Sequence, residues 1–266
     1  SILNALALGS DPQSAGKADK IITTFREGLA KNTFGTMEVR EQVSQTANFV
    51  ARDVSIANQD KGKYFEFAIQ ELEAQRKEFP TDMRAKAFLA TLYSTAGRPA
   101  EALAVVNEAL AVSERRPQFY FIAAEAYLNG GQGEQAIAAL RRAYDLAPDY
   151  PDTIANLATV LILTRHDIEA EALLEKSFGA PFVADERYAQ AYAQVGNFAK
   201  AARVWELLVQ ASLTDFRAHA SLGIAYARSW RIEDAVREIE KAIELEPQFK
   251  AQGEQLIQQI RAGELR

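Results

Sequence analysis

The sequence predicts an all-α protein, a right-handed α-solenoid superhelix of stacked antiparallel helix pairs. Two observations support this fold class: apolar residues recur at helical spacing, and a set of landmark residues repeats at a fixed interval of about 34 residues. The first set comprises Ala90, Tyr93, Gly97, Ala102 and Ala109, and the second comprises Ala124, Tyr127, Gly131, Ala136 and Ala143. A repeat of this length is one helical hairpin, which can bury its apolar face only against a neighbouring hairpin.

Less regular helices are predicted before these two units. Residues 1–13 predict a short helix that ends in a turn. Three longer helices are predicted over residues 14–31, 37–59 and 63–79. We expect the first two of these to pack as a degenerate pair that caps the array. The third carries the second half of a repeat, because Ala68 lies one full repeat before Ala102.

The whole chain is predicted to contain about seven helix pairs plus a terminal helix. Residues 1–48 form an N-terminal helical cap with a degenerate repeat, and residues 250–266 form a C-terminal capping helix. The array over residues 49–249 consists of units near 49–82, 83–116, 117–150, 151–181, 182–215 and 216–249. The interval from Ala170 to Ala201 is shorter than the regular repeat, which predicts a shortened connection after residue 176.

Small residues predict where the two helices of each pair cross. Each first helix carries an alanine or glycine at a constant distance before an alanine of the second helix. The first-helix residues are Ala90, Ala124, Ala158, Ala189 and Gly223, and their partners are Ala102, Ala136, Ala170, Ala201 and Ala235.

Glycine is also expected to end the first helix of a pair in a left-handed conformation, at Gly97, Gly131 and Gly196. Trp230 replaces this glycine in the last unit. Its side chain either covers the C-terminal helix, which is the preferred interpretation, or forms an exposed contact point.

The alternation of Ala, Tyr, Gly and Ala at this period resembles the tetratricopeptide repeat. In such a stack the first helix of each pair lines a concave groove. Tyrosines 93, 127, 192 and 226 are expected to form a ladder between units, with the rings buried and the hydroxyls able to reach a polar partner. Side chains of the first helices that neither pack the pair nor belong to this ladder should point into the groove. The candidate ligand-binding residues are Phe88, Thr91, Phe121, Glu125, Asn129, Asn156, Thr159, Arg187, Gln190, Gln194, Ser221 and Arg228.

The groove residues suggest what kind of ligand fits. The set is polar, rich in amides and nearly neutral, and no lysine is expected to face the groove. Tetratricopeptide domains that hold acidic tails use a clamp of Lys, Asn and Arg, whereas the matching positions here hold Ala87, Thr91 and Asn129 or Glu125. An acidic tail is therefore not the expected ligand. An inner face that is only solvated, with no ligand, is the simplest alternative.

No pattern predicts catalysis, a metal or a cofactor. The two histidines, His166 and His219, lie far apart in different units. His166 is expected in a turn beside Asp167, a candidate helix N-cap, and His219 in the packed core. The paired glutamates have helical spacing and basic neighbours, which is typical of solvated faces. The expectation is therefore a protein that is not an enzyme.

Composition excludes several classes of partner and site. The net charge is −6, with 36 acidic and 30 basic side chains interspersed, so a nucleic-acid interface is not expected. The chain contains no apolar run of the roughly 18 residues that a membrane span requires, so it is not expected to insert into a membrane. The chain has no cysteine and therefore no disulfide framework or thiolate metal site.

Segments outside the generic repeat carry a second resemblance. They are residues 32–42, Phe178-Gly179 with Asp185-Glu186-Arg187, and the C-terminal stretches 249–254 and 260–263. They resemble the soluble C-terminal tetratricopeptide region of bacterial O-antigen ligase/polymerase-like membrane proteins. The resemblance implies a soluble fragment whose parent protein lies in the cytoplasmic membrane, with this region outside the cytoplasm. It transfers no catalytic residue, because that chemistry belongs to the membrane part.

The sequence therefore predicts a non-catalytic interaction scaffold. Its groove is expected to bind a peptide or a partner protein of a surface-polysaccharide assembly. Self-association through Trp230 or the end helices is a further option. The alternative is a glycan-binding or glycosyltransferase-accessory module that acts on lipid-linked polysaccharide. The amide and aromatic residues of the groove, such as Phe121, Asn156 and Gln190, suit that role.

Overall fold

The computed structural model describes residues 17–30 and 35–265, and these residues form helices and turns without a β-strand. The predicted helix over residues 1–13 lies outside the described residues. Clustering of backbone contacts divides the chain into two compact units, between Leu146 and Ala147. The predicted all-α class, built from helix pairs, is confirmed.

The first unit contains seven α-helices in its described residues. They are α1 (Lys17–Leu29), α2 (Thr36–Arg52), α3 (Asn58–Glu78), α4 (Met83–Thr95), α5 (Pro99–Val112), α6 (Pro117–Asn129) and α7 (Gly133–Leu146). Consecutive helices contact each other from α1 to α7, and α2, α4 and α6 also contact one another in succession. The pairs are therefore α2/α3, α4/α5 and α6/α7.

The second unit contains the remaining helices. They are α8 (Pro151–Leu163), α9 (Asp167–Phe178), α10 (Glu186–Gln194), α11 (Phe198–Ala211), α12 (Phe216–Arg228), α13 (Ile232–Leu245), a 3₁₀ turn (Pro247–Phe249) and α14 (Lys250–Ala262). They form the pairs α8/α9, α10/α11 and α12/α13, and α14 packs on α13 as the terminal helix.

The pairing at the N-terminal end differs from the prediction. Helix α2 ends at Arg52 instead of continuing to Gln59, because Asp53 Oδ1 accepts hydrogen bonds from the Ser55 backbone N–H at 2.9 Å and the Ser55 hydroxyl at 2.7 Å. This local turn competes with the helix. Helix α2 consequently pairs with α3 and supplies the first half of its repeat, while α1 contacts both α2 and α3.

Small residues lie at the crossing of each helix pair, as the repeat pattern predicts. All five first-helix positions and all five alanine partners are buried. At Gly223 the approach is closest, since a Cβ atom would lie 2.8 Å from two Ile239 side-chain carbons and 3.0 Å from the Ala235 carbonyl oxygen. Even an alanine side chain does not fit there without displacing its neighbours.

Two tyrosine hydroxyls link consecutive repeats. The Tyr93 hydroxyl donates to Glu73 Oε1 at 2.9 Å, and the Tyr226 hydroxyl donates to Glu206 Oε1 at 2.8 Å. Burial, followed by the hydrogen bond to the carboxylate, raises the pKa of Tyr93 and of Tyr226 to about 12. Both hydroxyls are therefore protonated donors at neutral pH, and the expected polar partner is confirmed at these two tyrosines. The Tyr192 hydroxyl is buried without a hydrogen-bond partner among the described residues.

The turn inside five of the six pairs, from α4/α5 to α12/α13, contains one residue in the left-handed region. The φ angles are +73°, +71° and +79° at Gly97, Gly131 and Gly196, which confirms the predicted stops. Arg165 and Trp230 occupy the same place with φ of +64° and +68°, although such angles cost an L-residue roughly 1–2 kcal/mol. The Trp230 side chain is 72% exposed, so the preferred interpretation, that it covers the C-terminal helix, is wrong.

The adjacent glycines of one turn allow a controlled test of this conformation. Gly131→Ala is expected to lower the free energy of unfolding by about 1 kcal/mol, because φ is +71° and no atom of the described residues lies within 4 Å of the added Cβ. Gly130→Ala is the control, because Gly130 has φ of −85° and its Cβ would make ordinary contacts. Urea unfolding followed by circular dichroism measures both. Equal effects of the two substitutions would contradict the assignment.

Candidate functional site

In the first unit, five of the predicted groove residues lie on two neighbouring helices. Phe88 and Thr91 are half-buried on α4, Phe121 is half-buried on α6, and Glu125 and Asn129 are exposed on α6. Because α4 contacts α6, these side chains share one accessible face. The opposite side of α4 is buried, whereas α6 buries five residues and leaves Tyr120 and Tyr127 half-buried.

Asn129 also holds this face together. Its Nδ2 donates to the Ser94 hydroxyl oxygen at 3.0 Å and to the Ser94 carbonyl oxygen at 3.3 Å. The amide thus fixes the end of α6 against the end of α4. Asn129 therefore holds α6 in place against α4, in addition to being a candidate ligand-binding residue.

A cleft of about 240 Å³ opens beside Phe88, between α2 and α4 and above the end of α3. We call it the Gln75 cleft. Its apolar lining consists of Met37, Leu72, Ala85 and Phe88, and its polar lining consists of Glu38, Glu41, Gln75, Asp82 and Arg84. Only Phe88 among these residues was predicted as a groove residue. The others were missed because the position of α2 does not follow from the repeat.

Gln75 is the unusual residue of this cleft. It lies one repeat before Ala109 and two repeats before Ala143, so it occupies a place that holds a buried alanine in those two units. Its side chain is only 5% exposed. The Nε2 group donates to Asp82 Oδ2 at 2.7 Å, whereas Oε1 is buried without a hydrogen-bond partner among the described residues. The available sequence signal was a glutamine at the place where the next two units hold Ala109 and Ala143.

The charges around the cleft are unequal. Three carboxylates, Glu38, Glu41 and Asp82, face one guanidinium, Arg84. Arg84 forms an ion pair with Glu41 and its guanidinium carbon lies 5.9 Å from the centre of the Phe88 ring. Asp82 caps α4 by accepting from two backbone N–H groups. The cleft therefore has a net negative charge.

A second cleft, of about 470 Å³, lies between α1 and α3. Its lining includes two acidic and two basic side chains, Asp19, Glu66, Arg26 and Lys63, and Lys63 pairs with Asp19 at 3.7 Å. The predicted groove residues lie elsewhere. Its charges are balanced, so it favours no ionic ligand.

The second unit holds the other seven predicted groove residues. Asn156 and Thr159 lie on α8, the exposed residues Arg187, Gln190 and Gln194 on α10, and Ser221 and Arg228 on α12. Helices α8 and α10 contact each other, so the predicted residues of α8 lie beside those of α10. The structure thus divides the predicted site residues between two compact units.

Several polar groups of this second face already bind within the chain. Gln190 Nε2 donates to Glu186 at 2.6 Å, and the Thr159 hydroxyl donates to the Ala155 carbonyl at 2.7 Å. The Arg228 guanidinium lies 4.2 Å from the centre of the Phe198 ring. These contacts limit the groups that are available to a ligand.

Arg187 is the most strongly engaged of these residues. Its guanidinium donates to both carboxylate oxygens of Asp185, and the distance from Arg187 Nη2 to Asp185 Oδ2 is 2.6 Å. Burial tends to raise the pKa of Asp185, but the hydrogen bonds and charge of Arg187 outweigh burial and hold that pKa below its ordinary value. Asp185 also caps α10 by accepting from the Arg187 backbone N–H.

The two histidines lie in structural positions. Both ring nitrogens of the buried His219 are engaged, at 2.6 Å from Glu238 Oε2 and 3.2 Å from the Leu213 carbonyl oxygen. Asp167, the predicted N-cap next to His166, is instead the first residue of α9. Its carboxylate accepts from Lys200 Nζ at 2.8 Å, and this bond across the pairs replaces the expected cap.

Two segments of the chain match models of the tetratricopeptide repeat. The first match covers residues 68–151 and the second covers residues 183–206. The predicted repeats are confirmed over these segments, which include α4 to α7 and α10. Neither match links the chain to O-antigen ligase-like proteins, so that resemblance stays a prediction.

Solved structures with the same fold are distant in sequence. A tetratricopeptide repeat protein from Parabacteroides merdae is 18% identical, with a TM-score of 0.52 over 77% of this chain and 79% of that one. The C-terminal part of a repeat protein from Cytophaga hutchinsonii is 15% identical, with a TM-score of 0.50 over 76% and 78% of the two chains. At these identities the similarity shows the fold alone. A comparison with curated proteins found no match.

None of the helices in the described residues combines the length and the apolar character that crossing a membrane requires.

Asp185→Ala tests how Arg187 is held. Losing the N-cap is expected to lower the free energy of unfolding by about 0.5–2 kcal/mol at neutral pH. Because the pKa of Asp185 is lowered in the folded state, its contribution is complete above the unfolded value of about 3.9 and disappears as pH falls through the folded value. Urea unfolding at about pH 7 and about pH 2.5 should show the difference between wild type and variant shrinking in acid.

Asp149→Ala is the matched control for this substitution. Asp149 is an exposed carboxylate in the turn before α8. Its removal is expected to change stability by no more than about 0.5 kcal/mol at either pH. A difference for Asp185→Ala that persists unchanged in acid would exclude the ionic interaction as its cause.

Proposed function

We propose that the chain is a non-catalytic interaction scaffold that binds an extended peptide segment of a partner protein across the first helices of its pairs. The observation that carries this proposal is the placement of the candidate residues. On α4 and α6 every one of them keeps an accessible side chain, while most of the other residues of the same helices are buried. A continuous accessible face on packed helices is a binding surface of the helix-repeat type.

The rigidity of this face favours binding. Asn129 fixes α6 to α4, and the tyrosine–glutamate bonds fix neighbouring pairs. A preformed surface loses little conformational freedom on association, so most of the interaction energy contributes to affinity. The half-buried rings of Phe88 and Phe121 are the anchors, because aromatic side chains contribute much of the binding energy at interfaces.

The finer proposal concerns the biological setting. The resemblance of residues 32–42 and of the C-terminal stretches supports a soluble module of a bacterial surface-polysaccharide ligase or polymerase-like protein, with another assembly protein as the partner. A glycan ligand is the alternative, supported by the accessible amides of Asn156, Gln190 and Gln194. Self-association is a third option, with the exposed Trp230 as its contact.

Panning a library of random heptapeptides against the immobilised chain tests peptide binding. Enriched peptides are expected to lose at least about tenfold in affinity with the Phe121→Ala variant, since the ring is an anchor of the face. Val112→Ala is the control, because Val112 is an exposed apolar residue outside the candidate face. The proposal fails if no peptide is enriched, or if the two variants weaken binding equally.

Titration with surface-polysaccharide oligosaccharides, followed by two-dimensional NMR, distinguishes glycan binding from peptide binding. Under the peptide proposal, the signals of Asn156 and Gln190 do not move. Saturable shifts of both signals, together with failure of the peptide selection, would favour the glycan-binding role.

A further inference from the structure

The Gln75 cleft contains an acceptor that the described residues do not satisfy. The amide of Gln75 cannot be reversed, because Asp82 Oδ2 only accepts hydrogen bonds and must face the Nε2 group at 2.7 Å. Oε1 is therefore the atom left buried without a partner among these residues. Buried polar atoms are normally paired, so this oxygen requires a donor from outside the described residues, either a water or a ligand group.

The cleft is large enough for a side chain to supply that donor. Its volume of about 240 Å³ far exceeds the roughly 10–15 Å³ that a single water requires. Leu72, Ala85 and Phe88 give it apolar walls. A ligand group with an aliphatic stem and a polar head fits this combination.

The charges indicate the sign of that head group. Three carboxylates surround the cleft, and among the described residues only Glu41 is paired there with a cation, Arg84. Glu38 forms no ion pair with any described residue. The uncompensated negative charge favours a cation, and it disfavours the acidic segments that other tetratricopeptide grooves hold.

Arg84 shows which cation the surface suits. Its guanidinium lies 5.9 Å from the centre of the Phe88 ring while it pairs with Glu41. A guanidinium carries five N–H donors in one plane, so it can donate to an amide oxygen and a carboxylate while it contacts a ring. The cleft thus already holds one guanidinium of the chain at its rim.

We propose that the Gln75 cleft binds the guanidinium of an arginine in the partner segment, with Gln75 Oε1 and the Glu38 carboxylate as acceptors and Phe88 as the apolar wall. This inference rests on the proposed peptide-binding function and specifies the chemistry of the peptide. The segment continues from the cleft along α4 towards Phe121, since α4 and α6 share one face.

The experiment uses the full chain and blocked heptapeptides of alanine and leucine that carry one central residue. That residue is arginine, its uncharged isostere citrulline, or glutamate. Binding to every variant is measured by NMR through the backbone amide signal of Phe88, which lines the cleft. In chains that keep Gln75 it is also measured through the Gln75 side-chain amide signal, which is identified by its loss in Gln75→Met. The arginine peptide is expected to bind at least about tenfold more tightly than the citrulline peptide, and the glutamate peptide should bind most weakly.

Three variants and a control test which residues of the cleft bind the arginine. Gln75→Met and Glu38→Gln should each weaken arginine binding, while Gln75→Met leaves the melting temperature unchanged or raises it. Arg84→Ala should strengthen arginine binding several-fold, because it frees Glu41 and makes the cleft more negative. Glu114→Gln makes the same charge change as Glu38→Gln at an exposed position outside the cleft and should have no effect.

The outcomes separate this inference from the proposed function. Equal binding of the arginine and citrulline peptides, or weaker arginine binding by Arg84→Ala, overturns the arginine site. If peptides selected from the library still depend on Phe121 in that case, the proposed function stands without it. If no peptide binds at any position, both proposals fail. A Gln75 signal that no peptide moves means that water alone satisfies Oε1, which also overturns the inference.

Discussion

The structure depends on the close approach of two helices at a pair of small side chains. Ala136 and its counterparts are fully buried at these crossings, and at Gly223 a single added carbon would lie 2.8 Å from Ile239. Protein interiors tolerate little extra volume, so these positions fix the distance between the helices of a pair. The same constraint recurs in each regular pair, which is why the pairs stack in chain order within each unit.

Close pairing determines where the chain can bind a partner. When one face of each first helix is buried in its pair, the remaining face lies beside that of the next first helix, as for α4 and α6. The residues on that face can vary without loss of packing. The cleft lies where Gln75 occupies a place that holds the buried alanines Ala109, Ala143 and Ala242 in three later units. Its buried oxygen, unpaired among the described residues, is a destabilising feature, which is typical of sites retained for binding.

The sequence was most informative where the repeat is regular. The constant repeat length predicted the helix pairs, the small-residue crossings and the left-handed glycines. It missed the end of α2, because the turn at Asp53 depends on a local side-chain bond. It also missed the contribution of Met37 and Arg84 to the cleft, since the place of α2 results from packing on α3 and not from a motif. Phe88 and Phe121 were predicted as groove residues. The hydrogen bonds between Arg187 and Asp185 were not predicted from the sequence.

The role of small side chains in spacing the helix pairs is tested most directly by amide hydrogen exchange on the Gly223→Ala variant. The added carbon must displace Ile239 or separate α12 from α13. If small side chains set the spacing, the amides of α12 and α13 lose protection markedly, while those of α4 to α7 are unchanged, because each pair is stabilised mainly by its neighbours. Unchanged protection in α12 and α13 would contradict this role of the small side chains.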